Sequence, residues 1–159
     1  MSILQYEDFI VESTLLAKPY FYSLLIKHLD AEVYQFTTDR GTYYRVSIFK
    51  ENNEAEISFE SGDEPIRIFS TWIKPTVGMT NKFEQYRVIS TVIEIFKDFR
   101  SQPNNKHINV ISFLAGESTK NERSKEIRTK WYKNIIRKME PEAKEITNNT
   151  SKKIKFQLP

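Results

Sequence analysis

Between residues 32 and 73 the apolar residues recur at every second position, and this alternation constrains the fold more than any other feature of the chain. Val33–Thr38 reads as a first strand, closed by Asp39-Arg40-Gly41, where Gly41 supplies the positive φ that a three-residue hairpin needs. Thr42–Phe49 reads as a second, with Tyr44, Val46 and Ile48 on one face and Tyr43, Arg45 and Ser47 on the other. Lys50-Glu51-Asn52-Asn53 is turn chemistry. Glu54–Phe59 is a third strand with Ala55, Ile57 and Phe59 facing inward; Ser61-Gly62-Asp63 turns the chain, and Ile66–Trp72 is a fourth. Four strands joined by short turns predict an antiparallel meander.

Helical spacing flanks this region. Residues 4–17 place Phe9, Ile10, Ser13, Leu16 and Ala17 near one stripe, Pro19 suits the first turn of a second helix, and Phe21, Leu24, Leu25 and His28 continue the stripe, so a bent helical hairpin is predicted over 4–29. After a loop at 75–81, Val88, Val92, Ile95, Phe96 and Phe99, widened by Ile89 and Ile93, predict a helix over 82–99 packed flat on the sheet. Residues 107–114 read as a buried strand, paired in parallel with the fourth strand through a right-handed crossover. Ser118 is a candidate N-cap for a basic helix over 118–139, in which Ile127, Trp131, Ile135 and Met139 form the inner stripe and Tyr132 and Ile136 lie beside it. Pro141 stops that helix, and 152–158 is a last short strand with Ile154, Phe156 and Leu158 alternating. The predicted fold is α+β: a mixed, mainly antiparallel sheet, a four-stranded meander plus a parallel strand, flanked by helices.

A chain of 159 residues is expected to form a single domain over 1–159, burying ~70% of the surface its unfolded form exposes. Cysteine is absent, which removes disulfides, thiolate metal sites and cysteine nucleophiles. No window approaches ~18 consecutive apolar residues, and the N-terminus MSILQYEDFI lacks the basic-then-apolar order of a secretory signal, so a soluble cytoplasmic protein without a membrane role is expected. Charge is unevenly spread. Residues 1–117 carry 12 basic and 16 acidic side chains, whereas 118–159 carry 12 and 5.

Most mechanistic signatures are missing: there is no GxxxxGK[ST], GxGxxG, GxSxG or HExxH. His28, on the inner stripe of the predicted second helix, and His107, at the mouth of a strand, have no triad or metal spacing, and structural roles are expected for both. Among Glu51, Glu54, Glu56, Glu60, Asp63 and Glu64, alternation turns Glu54 and Glu56 outward, where charge discourages edge pairing; they are read as solvated surface rather than a metal site, and no metal is expected.

The order of elements resembles the Gcn5-related N-acetyltransferase fold. In that family the fourth strand ends in a splayed turn, and the following loop and helix start hold the pyrophosphate of acetyl-CoA, as free N–H groups and a helix dipole favour. The matching segment is Val77-Gly78-Met79-Thr80-Asn81-Lys82. The resemblance implies Gly78, Thr80 and Asn81 as cofactor-binding residues and Tyr132, in Trp131-Tyr132-Lys133, as the general acid that protonates the departing thiolate. Glu84 would hold a water as base. The loop offers one glycine where the family supplies two small residues, and the family's first strand has no counterpart. The patterns Tyr34-Gln35-Phe36-Thr37-Thr38, Val88-Ile89-Ser90-Thr91-Val92-Ile93 and Arg123…Arg128…Trp131-Tyr132 resemble small uncharacterised proteins of tailed bacteriophages. That resemblance implies a location in the host cytoplasm or the virion.

Three functions follow as expectations. The first is a non-catalytic binding or assembly protein with a phage or host protein partner and no cofactor, contacting it through exposed aromatics such as Tyr43 or Trp72. The second is an acetyl-CoA-dependent N-acetyltransferase with an atypical loop. The third is sequence-indifferent nucleic-acid binding through residues 118–139, whose eight basic and two acidic side chains place Arg123, Lys130, Lys133 and Arg137 toward solvent.

Overall fold

The alternation builds a sheet. The computed structural model describes residues 17–62, 82–114, 129–130, 132–134, 136–137, 139–147 and 153–159. Among the described residues seven strands form one sheet: β1 Tyr22–Lys27, β2 Ala31–Thr37, β3 Tyr43–Glu51, β4 Glu54–Gly62, β5 Val110–Leu114, β6 Lys144–Glu145 and β7 Lys153–Gln157. Their order is β1-β2-β3-β4-β5-β7-β6, and every neighbouring pair is antiparallel except β4 and β5. The protein is therefore α+β with a mixed, mostly antiparallel sheet, as the sequence predicts.

One face of the sheet is the core. Tyr34 and Phe36, Tyr44, Val46 and Ile48, Ala55 and Ile57, Ile111 and Phe113, and Ile154 and Phe156 are buried at alternate positions. Helix α1, Lys82–Ser101, covers them with Val88, Val92, Ile95, Phe96 and Phe99, and Leu158 and Ile136 complete the cluster. The rings of Tyr20, Phe36 and Tyr44 stack in series, with centroids 5.9 Å and 5.1 Å apart. Gly41 turns β2 into β3 with φ +83°, and Asn52, φ 54°, begins the turn into β4.

The opposite face carries an ionic ladder. Glu54 accepts hydrogen bonds from Ser112 Oγ (2.7 Å) and Lys155 Nζ (3.0 Å), Glu56 pairs with Lys153, and Glu60 pairs with Arg45. Glu54 and Glu56 do point away from the core, but reading them as free solvated carboxylates at an edge is corrected. Strand β4 lies inside the sheet, so its charges have partners on β5 and β7.

Three other expectations change. The second half of the predicted helical hairpin is β1, which pairs with β2 through the His28–Asp30 turn, where His28 N–H donates to Ala31 O at 2.8 Å. A bulge explains the misreading: Leu24 opposes Tyr34 and Ile26 opposes Val33, so Leu25 is inserted and Leu24-Leu25-Ile26 imitates a helical stripe. Residues 4–16 lie outside the described residues. The turn predicted at Ser61-Gly62-Asp63 is absent at its first two residues, because β4 runs to Gly62 and pairs it with Tyr43. The four-stranded meander is therefore β1–β4. The strand predicted at Ile66–Trp72 lies outside the described residues, as does the side chain of Phe59.

Strand β5 is parallel to its neighbour, as expected, but the neighbour is corrected: β5 pairs with β4, the strand predicted third, and not with the predicted strand at Ile66–Trp72, since Glu54 opposes Val110 and Ile57 opposes Phe113. Residues 129, 130, 132–134, 136, 137 and 139 are helical, in line with the end of the predicted basic helix, and Glu140 N–H bonds Ile136 O (2.8 Å) just before Pro141. Strand β7 matches the last predicted strand.

Candidate functional site

The parallel pair sets the geometry of the predicted site. The last residue of β4 paired with β5 is Ile57, yet β4 continues through 58–62, so the two strands part company beyond Phe113. Helix α1 begins beside this divergence, and two groups of side chains occupy it.

The first group is polar. Glu84, in the first turn of α1, is 7% exposed, and neither carboxylate oxygen has a hydrogen-bond partner among the described residues. Its charge reaches Tyr44 and Tyr20. Burial first, and the Glu84 charge second, push the Tyr44 phenol up to about 12, against a hydrogen bond with Ser61. Burial also raises Tyr20, although the Arg87 guanidinium, 3.8 Å from the ring centroid, opposes this.

The second group is apolar. Tyr132 stacks on Phe113 with centroids 5.8 Å apart and planes 10° apart. Together with Ile57, Ile89, Ile93 and Ile136 they line a cavity of about 30 Å³ that presents no polar surface. A space this small and dry holds no cofactor. The charge of Glu84 acts on Tyr44 and Tyr20, whereas Tyr132 lies against Phe113, Ile89 and Ile93. Gly78, Thr80 and Asn81 lie outside the described residues, as do Arg123 and Trp72.

The basic helix is less free than its composition suggests. Lys130 is exposed, but Lys133 Nζ and Arg137 Nη2 converge on the Glu145 carboxylate of β6 at 2.7 Å and 3.1 Å. Arg137 is exposed and Lys133 half-buried; the β6 strand, too short to show in the sequence, brings a counter-charge that the two share. Hydrogen bonding from Lys133 is the largest influence holding the Glu145 carboxyl below the usual range. Ile136 is buried here, and the side chains of Ile127, Trp131 and Ile135 lie outside the described residues. Tyr43 is half-buried within the sheet rather than an exposed contact. His28 is exposed in the β1–β2 turn instead of lying on an inner helical stripe, and exposed His107 donates Nε2–H to Asn52 O at 3.1 Å.

Two features escaped the sequence reading. Phe21 and Leu29, 96% exposed each, flank β1, an edge strand among the described residues, and Leu24 is exposed between them. A helical assignment of this stretch hid them. The other is Glu32, fully buried beneath Asn105; its place on the inward phase of β2, ahead of Tyr34 and Phe36, was the available signal. Among the described residues no group of three or more acidic or imidazole side chains is placed to hold a metal ion, and no helix is long and apolar enough to cross a membrane. Comparison with family models, curated proteins and solved structures returned no match.

Proposed function

We propose that the chain is a non-catalytic binding or assembly protein, on an acetyltransferase-like scaffold, that receives an extended strand of a partner protein along β1. The observation that carries this reading is the exposure of Phe21 and Leu29 at the two ends of β1, an edge strand among the described residues, with Leu24 between them. Unpaired N–H and C=O groups on such an edge supply main-chain bonds to an added strand, and the exposed apolar side chains supply pockets of contact. The bulge at Leu25 limits the template to its first half, Tyr22–Leu24. The likeness to small phage proteins points to a virion or host protein as the source of that strand. A photocrosslinking residue at position 24, with one at Lys97 on the exposed side of α1 as control, tests the reading. A single adduct from position 24, lost in Ser23→Pro and mapped to one extended peptide, is expected. Equal labelling from both positions, or self-adducts of the chain alone, would sink it.

The divergence of β4 from β5, with a helix start beside it, favours acetyl-CoA binding as a second reading. Calorimetric titration decides it: absence of heat at millimolar acetyl-CoA removes it. Nucleic-acid binding ranks below both, since Glu145 already engages the ends of Lys133 and Arg137 and offsets part of their charge.

A further inference from the structure

At the end of the sheet opposite the β4–β5 divergence, the β1–β2 turn, Asn52 and the segment following α1 enclose a cleft of about 750 Å³. This lies within the ~300–1,000 Å³ common for small-ligand sites. We infer that the cleft binds a small organic phosphate, with the anionic group held between Lys27 and Lys50.

The floor of the cleft is built from buried polar groups. Asn105, itself fully buried, donates its amide N–H₂ to Glu32 Oε2 at 3.2 Å and to Phe99 O at 2.8 Å. Two acceptors on one side of the amide fix which way it points, so its oxygen faces the cleft and accepts from Lys50 Nζ at 3.1 Å. The Phe99 ring, 5.8 Å away, adds a second restraint on the ammonium. Lys50 therefore spends one of its three N–H donors on the floor. Across the cleft, Lys27 Nζ bonds Gln102 Oε1 at 3.0 Å, which likewise positions a cation with donors to spare. Groups held in place before binding lose less freedom when the ligand arrives.

The lining favours an anion of a particular kind. Lys27 and Lys50 face one opposing carboxylate in it, Asp30, and the side-chain amides of Asn104 and Gln102 add neutral donors. Two lysine ammonium groups supply compact positive charge of the kind that binds phosphate, and among the described residues no arginine lines the cleft. Leu29, exposed on the rim, offers an apolar surface to the organic part. The site lies at the far end of α1 from the loop at 77–82 and does not depend on the strand-docking reading.

Both histidines of the chain, His28 and His107, line this cleft and serve as reporters. In the full chain, their imidazole NMR signals are followed while inorganic phosphate and then phenyl phosphate are added, against chloride at equal ionic strength. Both signals are expected to move together and saturate at millimolar phosphate, with phenyl phosphate binding more tightly. Lys27→Gln, at an exposed position that leaves the fold intact, is expected to weaken binding about tenfold, as loss of a charge-assisted contact does, and Lys97→Gln to leave it unchanged. Signals that stay fixed, that follow chloride equally, or that saturate unchanged in Lys27→Gln would overturn the assignment.

Discussion

Asn105 donates a hydrogen bond to Glu32 across 3.2 Å, and this contact ties the turn after α1 to the inner face of β2. Both side chains are fully buried, and Glu32 Oε1 has no hydrogen-bond partner among the described residues. A buried carboxylate with one hydrogen bond is a sensitive point, because deleting that bond leaves charge without compensation.

Asn105→Ala is accordingly expected to cost ~3 kcal/mol in urea unfolding. Glu32→Gln should cost much less, since its amide oxygen still accepts from Asn105 while the buried charge disappears. An Asn105→Ala protein as stable as the parent would show that the contact contributes nothing.

The alkaline limb of stability follows from two phenols. Burial, then the charge of Glu32, pushes Tyr34 up to about 12, and Tyr44 reaches about 12 by burial and Glu84. A phenol raised above its unfolded value of 10.0 contributes stability that is complete below that value and lost as pH climbs toward the folded one. Phenolate absorbance should therefore show two of the eight tyrosines ionising last, with unfolding close behind. Tyr34→Phe should flatten this limb.

The acid limb runs the other way. Burial raises the Glu54 carboxyl, but the hydrogen bonds from Ser112 and Lys155, with the charges of Lys155 and Lys153, outweigh it and leave the group below its usual 4.5; Glu145 is lowered chiefly by Lys133. Depressed carboxylates contribute stability above the unfolded value, and that contribution disappears as pH falls through the folded one. Thermal unfolding between pH ~6 and ~3 should show the loss, and Glu54→Gln should reduce its steepness.

Gly41 tests backbone strain without steric interference, since a Cβ there would meet nothing within 4 Å at φ +83°. Gly41→Ala is expected to cost ~1 kcal/mol, and Gly41→Asn less, because asparagine tolerates the left-handed region better. Equal stability of all three proteins in urea would rule the strain out.

The ring of Tyr132 stacks on Phe113 beside the dry cavity. Ile136→Ala, which enlarges that cavity, should cost ~3 kcal/mol in urea unfolding, and an unchanged midpoint would show that the packing there contributes nothing.

The sequence by itself determined the inner face of β2–β4, helix α1, the buried strand β5 and the alternating β7, because each is written in a local period of 2 or 3.6 that burial enforces, whereas the strand beside which β5 lies was decided by the tertiary structure. It also placed Gly41 and the Asn52 turn, whose conformations depend on their own backbone. Pairing decided the rest. One inserted residue, Leu25, disguised β1 as a helix, and only the hydrogen-bonding demand of β2 made it a strand. Glu54 and Glu56 read as an edge acidic surface until β5 and β7 brought Ser112, Lys153 and Lys155 alongside. Lys133 and Arg137 read as a solvent-facing basic row, and only β6 brought Glu145 against them. The cleft at Lys27, Lys50, Asn105 and His107 joins side chains far apart in the chain, and such convergence has no period for a sequence to display.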